Sequence, residues 1–135
     1  MSRFEWHDFI DLACHILDNH ELDSSFFRSK EESVWRTVIS RAYYGIFKQV
    51  EDFLKNNGLI DIHTTSHKKI IDYFDNIDFQ FFQQLDRLKG LRHIADYKKN
   101  QFISKRDAEN AARLAQSLTS HFKILTSKLL NVGHS

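Results

Sequence analysis

The side chains best suited to chemistry lie in one segment of eleven residues, 87–97. Arg87 and Arg92 can hold a phosphate through paired hydrogen bonds, and His93 can exchange a proton near neutral pH. Arg92 and Asp96 are four residues apart, so on a helix they share a face and can form an ion pair. Together these groups suit metal-independent cleavage of a phosphodiester by a 2′-hydroxyl. Cations near the C-terminal end of a helix also stabilise its macrodipole, and the spacing alone favours that structural role.

A second segment, residues 40–47, places a cation within an otherwise apolar stretch. Arg41 and Tyr44 are three residues apart and share a helix face. A buried arginine is costly unless it contacts an acid, a phosphate or water. We therefore treat Arg41 and Tyr44, together with Asp96, as candidate binding residues. A buried ion pair or an interface contact is the structural alternative.

Signatures of other chemistries are absent from the sequence, which has no phosphate-binding loop, dinucleotide-binding glycine turn, nucleophile elbow or HExxH pair. His63 and His67 are four residues apart and would share a helix face, but no further ligands accompany them. Cys14 is the single cysteine, which excludes an intrachain disulfide and favours a small buried hydrophobe. We therefore predict no metal site and no cofactor.

Helices must position these residues, because apolar side chains recur at steps of three and four residues. The second predicted helix is apolar around most of its circumference, which predicts a central position. Gly90, inside the fourth helix, permits a bend or a close helix contact. The predicted helices cover residues 3–20, 29–56, 66–74, 79–97 and 105–130. Their predicted boundaries are capping boxes at Ser2 and Glu5, Ser29 and Glu32, and Ser104 and Asp107, an N-cap at Asp78 and a C-terminal stop at Gly58.

The composition favours the same architecture. The chain has no proline and four glycines, too few for the many tight turns of a sandwich or barrel. Its 135 residues predict one domain, 1–135, with an all-α fold: an antiparallel up-down bundle of four long helices plus a short one. The net charge of +1 gives no global basic field, so a nucleic-acid contact would need a local patch. One cysteine and the lack of an apolar leader or membrane-length run predict a cytoplasmic protein without membrane contact.

The two segments, in their order and separation, resemble the HEPN domain family, small helical proteins of bacteria and archaea with scattered eukaryotic relatives. The resemblance is to small single-domain members and covers nearly the whole chain, including the alanine-rich last helix. Its motifs are an SRxYY stretch, a histidine before a short helix and an RxxADY stretch. Here they are Ser40, Arg41, Tyr43 and Tyr44, then His67, then Arg92, Ala95, Asp96 and Tyr97.

The resemblance implies a bundle that usually dimerises, with the polar faces of both protomers lining a shared cleft. Many relatives are metal-independent endoribonucleases, often toxins or antiviral effectors. Others pair with a small nucleotidyltransferase that modifies a tyrosine near the active motif. In this chain Tyr97 is the candidate for such a modification.

The nuclease motif that the resemblance implies is an arginine, four to six residues and a histidine. Arg87 and His93 have that spacing, but Leu88 follows the arginine where active relatives tend to have a polar residue. In the register set by the aspartate-tyrosine pair, Ala95 stands where active relatives have histidine. The resemblance therefore implies a degenerate motif, with Arg92, His93 and Arg87 as the candidate catalytic residues.

Three functions remain open. The favoured one is a HEPN-like member of a bacterial or archaeal toxin-antitoxin or defence system that binds a nucleotide, RNA or a nucleotidyltransferase partner. The alternatives are an active metal-independent endoribonuclease toxin and a helical oligomerisation module without a nucleic-acid role. We also expect Arg41 and Arg92 to face one polar groove, with Asp96 and Tyr97 on its rim. A homodimer is predicted because one small bundle cannot bury all of its bulky residues, especially Trp6, Phe26, Phe27, Trp35, Phe79, Phe81 and Phe82.

Overall fold

The computed structural model describes residues 3–19 and 30–132. Within these ranges the chain forms five helices and no strands, which confirms the predicted all-α class. Among the helices so described, none has the length and apolar character needed to cross a membrane. The helices are α1 (Asp8–Asn19), α2 (Glu31–Asn56), α3 (His67–Asp72), α4 (Phe79–Tyr97) and α5 (Lys105–Val132).

The second helix, α2, is the centre of the bundle and packs against α1, α4 and α5. The Trp6 indole donates to Asp52 near the end of α2 (2.8 Å), while Phe9 contacts Arg41 nearer its beginning, so α1 and α2 are antiparallel. Equivalent crossings make α4 antiparallel to α2, and α5 antiparallel to α4. For α2 and α4, Arg36 bonds to Ala95 and Arg92 contacts Tyr43. For α4 and α5, Asp78 bonds to His121, and Arg87 and Asn110 line one surface depression.

The core forms because α2 buries side chains around most of its circumference, as the sequence predicts. A cluster of phenylalanine rings closes the end of the bundle where α4 begins: Phe74 lies 4.8 Å from Phe81, and Phe81 stacks on Phe122 at 5.7 Å. The buried residues of α2 are Trp35, Val38, Ile39, Ala42, Tyr43, Gly45, Ile46, Phe47, Val50 and Leu54.

Local capping interactions define several helix ends and confirm three of the predicted boundaries. The Asp78 carboxylate accepts from the Phe81 N–H at 3.0 Å. Ser104 and Asp107 exchange backbone-to-side-chain hydrogen bonds at 2.9 and 3.2 Å, which is a capping box. Gly58 has φ +66° after the end of α2, and this left-handed conformation is the usual helix stop at glycine.

Two helices are shorter than predicted. The Glu5 N–H bonds to the Asp8 carboxylate at 3.1 Å, and residues 6–7 form a turn, so α1 begins at Asp8 instead of residue 3. Ser66 accepts from the Lys69 N–H at 3.3 Å and is therefore the N-cap of α3, while residues 73–77 are turns. The predicted caps at Ser2 and Ser29 lie outside the described residues.

The argument for a homodimer needs one correction. Trp35 and Phe81 are buried inside the bundle, so the bundle does hide two of its largest apolar side chains. Phe79 remains 57% exposed and stacks on the half-buried Phe82. Trp6 is half-buried, and Phe26 and Phe27 lie outside the described residues. The homodimer itself stays a prediction.

Alanine substitutions at two helical glycines should change stability in opposite directions. A Cβ at Gly45 would lie 2.5 Å from Ile10 Cγ1, so Gly45→Ala should destabilise the α1–α2 contact by about 1–2 kcal/mol. A Cβ at Gly90 meets nothing within 4 Å, so Gly90→Ala should stabilise α4 by about 1 kcal/mol through helix propensity. Urea unfolding measures both changes. Equal effects of the two substitutions would contradict the close approach at Gly45.

Candidate functional site

Arg92 is the buried charged residue of the described chain, only 8% exposed. Its guanidinium carbon lies 5.0 Å from the Tyr43 ring centroid, 5.3 Å from Tyr44 and 5.7 Å from Tyr97. These are cation–π distances, and a guanidinium is more weakly hydrated than an ammonium, which lowers the cost of such an enclosure. Tyr43 forms the buried wall of the site, whereas Tyr97 is 65% exposed and forms its outer edge. We call these four residues the Arg92 cluster.

The polar partners of Arg92 are few. Its Nη1 lies 3.6 Å from Asp96 Oδ2, longer than a charge-assisted hydrogen bond. The same carboxylate oxygen accepts from the Ser40 hydroxyl at 3.4 Å. Arg92 Nε is enclosed and has no hydrogen-bond partner among the described residues. The Tyr43 hydroxyl is a further polar neighbour of the guanidinium, so the donor without an acceptor is Nε.

The beginning of α3 meets the Arg92 cluster through His67. The Tyr43 hydroxyl and His67 Nδ1 form a hydrogen bond of 2.7 Å. The imidazole also stacks on Phe47, with ring centroids 4.0 Å apart, and lies perpendicular to the Tyr44 ring at 6.1 Å. His67 thus has a fixed ring orientation, because aromatic contacts on α2 hold it in place.

The local electrostatics favour the neutral form of His67. Burial is the main cause, followed by the positive charge of Arg92, and together they lower the pKa of His67 below its usual range. Burial likewise raises the pKa of the Tyr43 phenol well above its usual range, so the phenol keeps its proton. Both members of this hydrogen bond are therefore uncharged at neutral pH.

The structure brings together three separate parts of the sequence at this site. They come from the middle of α2, from the first residue of α3 and from the last two turns of α4. Of the residues that carry the HEPN resemblance, the site unites Ser40, Tyr43, Tyr44, His67, Arg92, Asp96 and Tyr97.

Other candidate residues lie around this site with different partners. The Arg41 guanidinium stacks over Phe9 of α1 at 4.9 Å, so Arg41 and Arg92 have their aromatic partners on different helices. That the two arginines line one groove stays a prediction. His93 is exposed and its ring lies 5.2 Å from that of Tyr97, whereas its neighbour Arg92 is buried.

Arg87 does not join the Arg92 cluster among the contacts of the described residues. It is exposed and lines a surface depression with Asn110 and Arg113 of α5. The helix α4 runs without interruption through Gly90. Gly90 thus does not interrupt α4, and Arg87 lies beside α5 instead of joining Arg92.

Sequence reasoning missed Arg36, the residue that holds the end of α4. Its guanidinium donates to the carbonyls of Ile94 (3.1 Å), Ala95 (2.9 Å), Lys98 (3.1 Å) and Gln101, and its Nε donates to Glu32. The Ile94 and Lys98 carbonyls also accept from the N–H groups of Lys98 and Gln101, so Arg36 adds a charged donor at the helix end and connects it to the turn that follows. The only sequence signal was the spacing of four residues between Glu32 and Arg36, which is typical of any surface ion pair.

Potential metal ligands do not gather at the Arg92 cluster. His63 lies in a turn before α3, so it does not share a helix face with His67. In residues 3–19 and 30–132, one group of three potential ligands comes close enough for an ion, His7, Asp8 and Asp11, all within 4.8 Å. These lie at the beginning of α1, and such surface groups are common without an ion.

No family model matches this chain, and neither the curated proteins nor the solved structures contain a significant match to it. The relation to the HEPN family therefore stays a prediction from the motifs and from their arrangement.

The pH dependence of stability should report the buried state of His67. Because its folded pKa lies below the unfolded value, the neutral ring stabilises the fold above about pH 6.5, and this contribution is lost as the pH falls toward the folded pKa. On acidification from about pH 7 to about pH 5, wild type should lose more unfolding free energy than His67→Gln. Urea unfolding across this range measures the difference. Parallel curves for the two proteins would contradict it.

Arg36→Ala should loosen the end of α4 and the turn after it. The freed carbonyls lose several hydrogen bonds to a charged donor, and we expect a loss of about 2 kcal/mol in unfolding free energy. Hydrogen exchange should accelerate at residues 98–103 more than in the middle of α2. Arg113→Ala, which removes an exposed arginine paired with Glu109, is the matched control and should change stability by less than about 0.5 kcal/mol.

Proposed function

We propose that this chain is a cytoplasmic HEPN-like protein of a bacterial or archaeal toxin-antitoxin or defence system that binds the phosphate of an RNA or nucleotide at Arg92. The observation that carries this proposal is the incomplete coordination of a buried guanidinium. Arg92 is 8% exposed, its Nε has no partner among the described residues, and its one carboxylate there lies at 3.6 Å. A phosphate oxygen pair matches the guanidinium fork and would supply closer acceptors on the side where Asp96 now lies.

A ligand can approach Arg92 from the side covered by Asp96 and Tyr97. Asp96 and Tyr97 are exposed, and each touches the guanidinium by one contact. An anion that displaces the Asp96 carboxylate would leave Asp96 near the Ser40 hydroxyl, which already bonds to it. The walls formed by Tyr43 and Tyr44 need not move. The ligand site is thus the outer side of the Arg92 cluster.

The distribution of charge along α4 supports an anionic ligand. Residues 87–99 contain five lysines and arginines and one aspartate, in a chain whose net charge is only +1. Positive charge is therefore concentrated in this segment, although the whole protein is nearly neutral. A phosphate-binding patch on such a protein requires a local excess of this kind. The cations are Arg87, Lys89, Arg92, Lys98 and Lys99.

A second candidate function is RNA cleavage, and the exposure of His93 favours it. The His93 imidazole is exposed, and its ring contact among the described residues is with the exposed Tyr97. His93 also follows Arg92 directly in the chain. It is therefore the histidine best placed to move a proton on a substrate held at the outer side of the cluster.

Binding assays with arginine variants test the phosphate site. Fluorescence anisotropy with a short labelled RNA, and titration with inorganic phosphate followed by NMR, should both show weaker binding by Arg92→Gln, by about tenfold or more. Arg113→Gln removes the same charge elsewhere and should bind the RNA within about twofold of wild type. Circular dichroism checks that each variant remains helical. Equal weakening by the two substitutions would show that RNA binding depends on net charge and would contradict a specific site at Arg92.

Cleavage is tested with a mixed RNA pool, with and without a chelator. If the protein is a nuclease, wild type should cleave in the presence of chelator and His93→Ala should be slower by about a hundredfold. Binding without cleavage supports the binding function alone. Equal cleavage by wild type and His93→Ala would assign the activity to a contaminant.

A further inference from the structure

The Tyr43 hydroxyl is fully buried and has one hydrogen-bond acceptor among the described residues, His67 Nδ1. A buried hydroxyl proton has to be donated, because an unsatisfied donor in the interior costs free energy. Nδ1 must therefore lack a proton, and the neutral His67 ring carries its proton on Nε2.

His67 Nε2 has no hydrogen-bond partner among the described residues. Among the described residues, the one side-chain nitrogen or oxygen that is both buried and without a partner is Arg92 Nε. His67 Nε2, which has no partner there, is therefore not buried. Nε2 therefore reaches solvent as an N–H donor. Because the two ring nitrogens lie on opposite sides of the imidazole, this donor points away from Tyr43.

His67 and Arg92 contact the same pair of tyrosines. The ring of Tyr43 lies 5.8 Å from the imidazole and 5.0 Å from the guanidinium carbon. The ring of Tyr44 lies 6.1 and 5.3 Å from the same two groups. A neutral donor and a cationic donor thus both contact one aromatic pair.

The charged groups that surround His67 come from α2 and α4. Arg92 and Lys89 on α4 and Lys48 on α2 are positive, and Glu51 on α2 is the one carboxylate among the main influences on this ring. Glu51 is already paired with Lys48 at 2.9 Å and with Lys55 at 3.3 Å. The surroundings therefore disfavour an imidazolium and leave a positive potential for an anion.

We propose that His67 is a ligand-contacting residue of the Arg92 site, whose Nε2–H donates to the phosphate that Arg92 binds, and that Tyr43 is the positioning residue that fixes its tautomer. The proposal rests on the phosphate-binding function argued above and adds its second donor. A neutral donor beside a cation holds the phosphate at two points. Because the ring is neutral at neutral pH, this donation needs no protonation step.

Two isosteric substitutions separate the roles of the two ring nitrogens. The shorter side-chain amide that His67→Asn introduces lies where Nδ1 lies in wild type, so it can accept from Tyr43 but offers no outward donor. The longer amide that His67→Gln introduces reaches the position of Nε2 and keeps an outward N–H. With inorganic phosphate and a short RNA as probes, His67→Asn should bind about tenfold more weakly than wild type, and His67→Gln within about threefold.

Outcomes of the binding assay distinguish this proposal from the function on which it rests. If wild type binds phosphate and His67→Asn binds equally well, His67 is not a ligand and the phosphate site at Arg92 stands. If wild type binds neither probe, both the function and the contact of His67 are overturned. Weakening by His67→Gln as severe as that by His67→Asn would also overturn the donor role.

The positioning role of Tyr43 has a spectroscopic readout that a change in stability alone would not move. Nitrogen-15 chemical shifts of His67 at neutral pH should show the Nε2–H tautomer in wild type and a mixture of tautomers in Tyr43→Phe. The same titration should show a higher His67 pKa in Tyr43→Phe, since protonation of Nδ1 no longer deprives a buried hydroxyl of its acceptor. An Nδ1–H tautomer in wild type, or identical shifts in both proteins, would overturn this role.

Discussion

Burial of α2 is the constraint on which the rest of the structure depends. A helix with apolar residues around most of its circumference has to be covered on several sides, and α1, α4 and α5 provide that cover. Buried polar contacts to α2 form only where a neighbouring element contributes polar side chains to the interface. That happens at Tyr43, where α4 contributes Arg92 and the beginning of α3 contributes His67. The candidate site is thus a polar gap in an apolar contact.

Sequence patterns predicted the parts of this structure that depend on nearby residues. The caps at Asp78 and Ser104 are contacts across three residues, and the central place of α2 follows from its own composition. The gathering of Tyr43, His67 and Arg92 could not follow from periodicity, because periodicity does not state which helix faces which. The motifs that carry the resemblance name these residues without stating that they meet, and the structure brings them together.

What sequence reasoning did not show depends on contacts between distant residues. Arg41 and Tyr44 are three residues apart on α2, so their side chains differ by about 60° in direction. On a helix covered on several sides that angle is enough to place Arg41 over Phe9 of α1 and Tyr44 beside Arg92 of α4. Arg36 was missed for the same reason, since its acceptors lie about sixty residues further along the chain.

The state of Arg92 distinguishes a ligand-binding arginine from a purely structural one in the same bundle. Arg36 shows what a structural arginine achieves here: its donors are taken up by carbonyls of α4 and the following turn, and by Glu32. Arg92 is more deeply buried, yet within the described chain it has rings on its faces, one distant carboxylate and an unpartnered Nε. Since desolvation of a cation is costly unless its donors are used, the incomplete set is costly for an unliganded fold. An anion at the outer side of the Arg92 cluster would offset that cost.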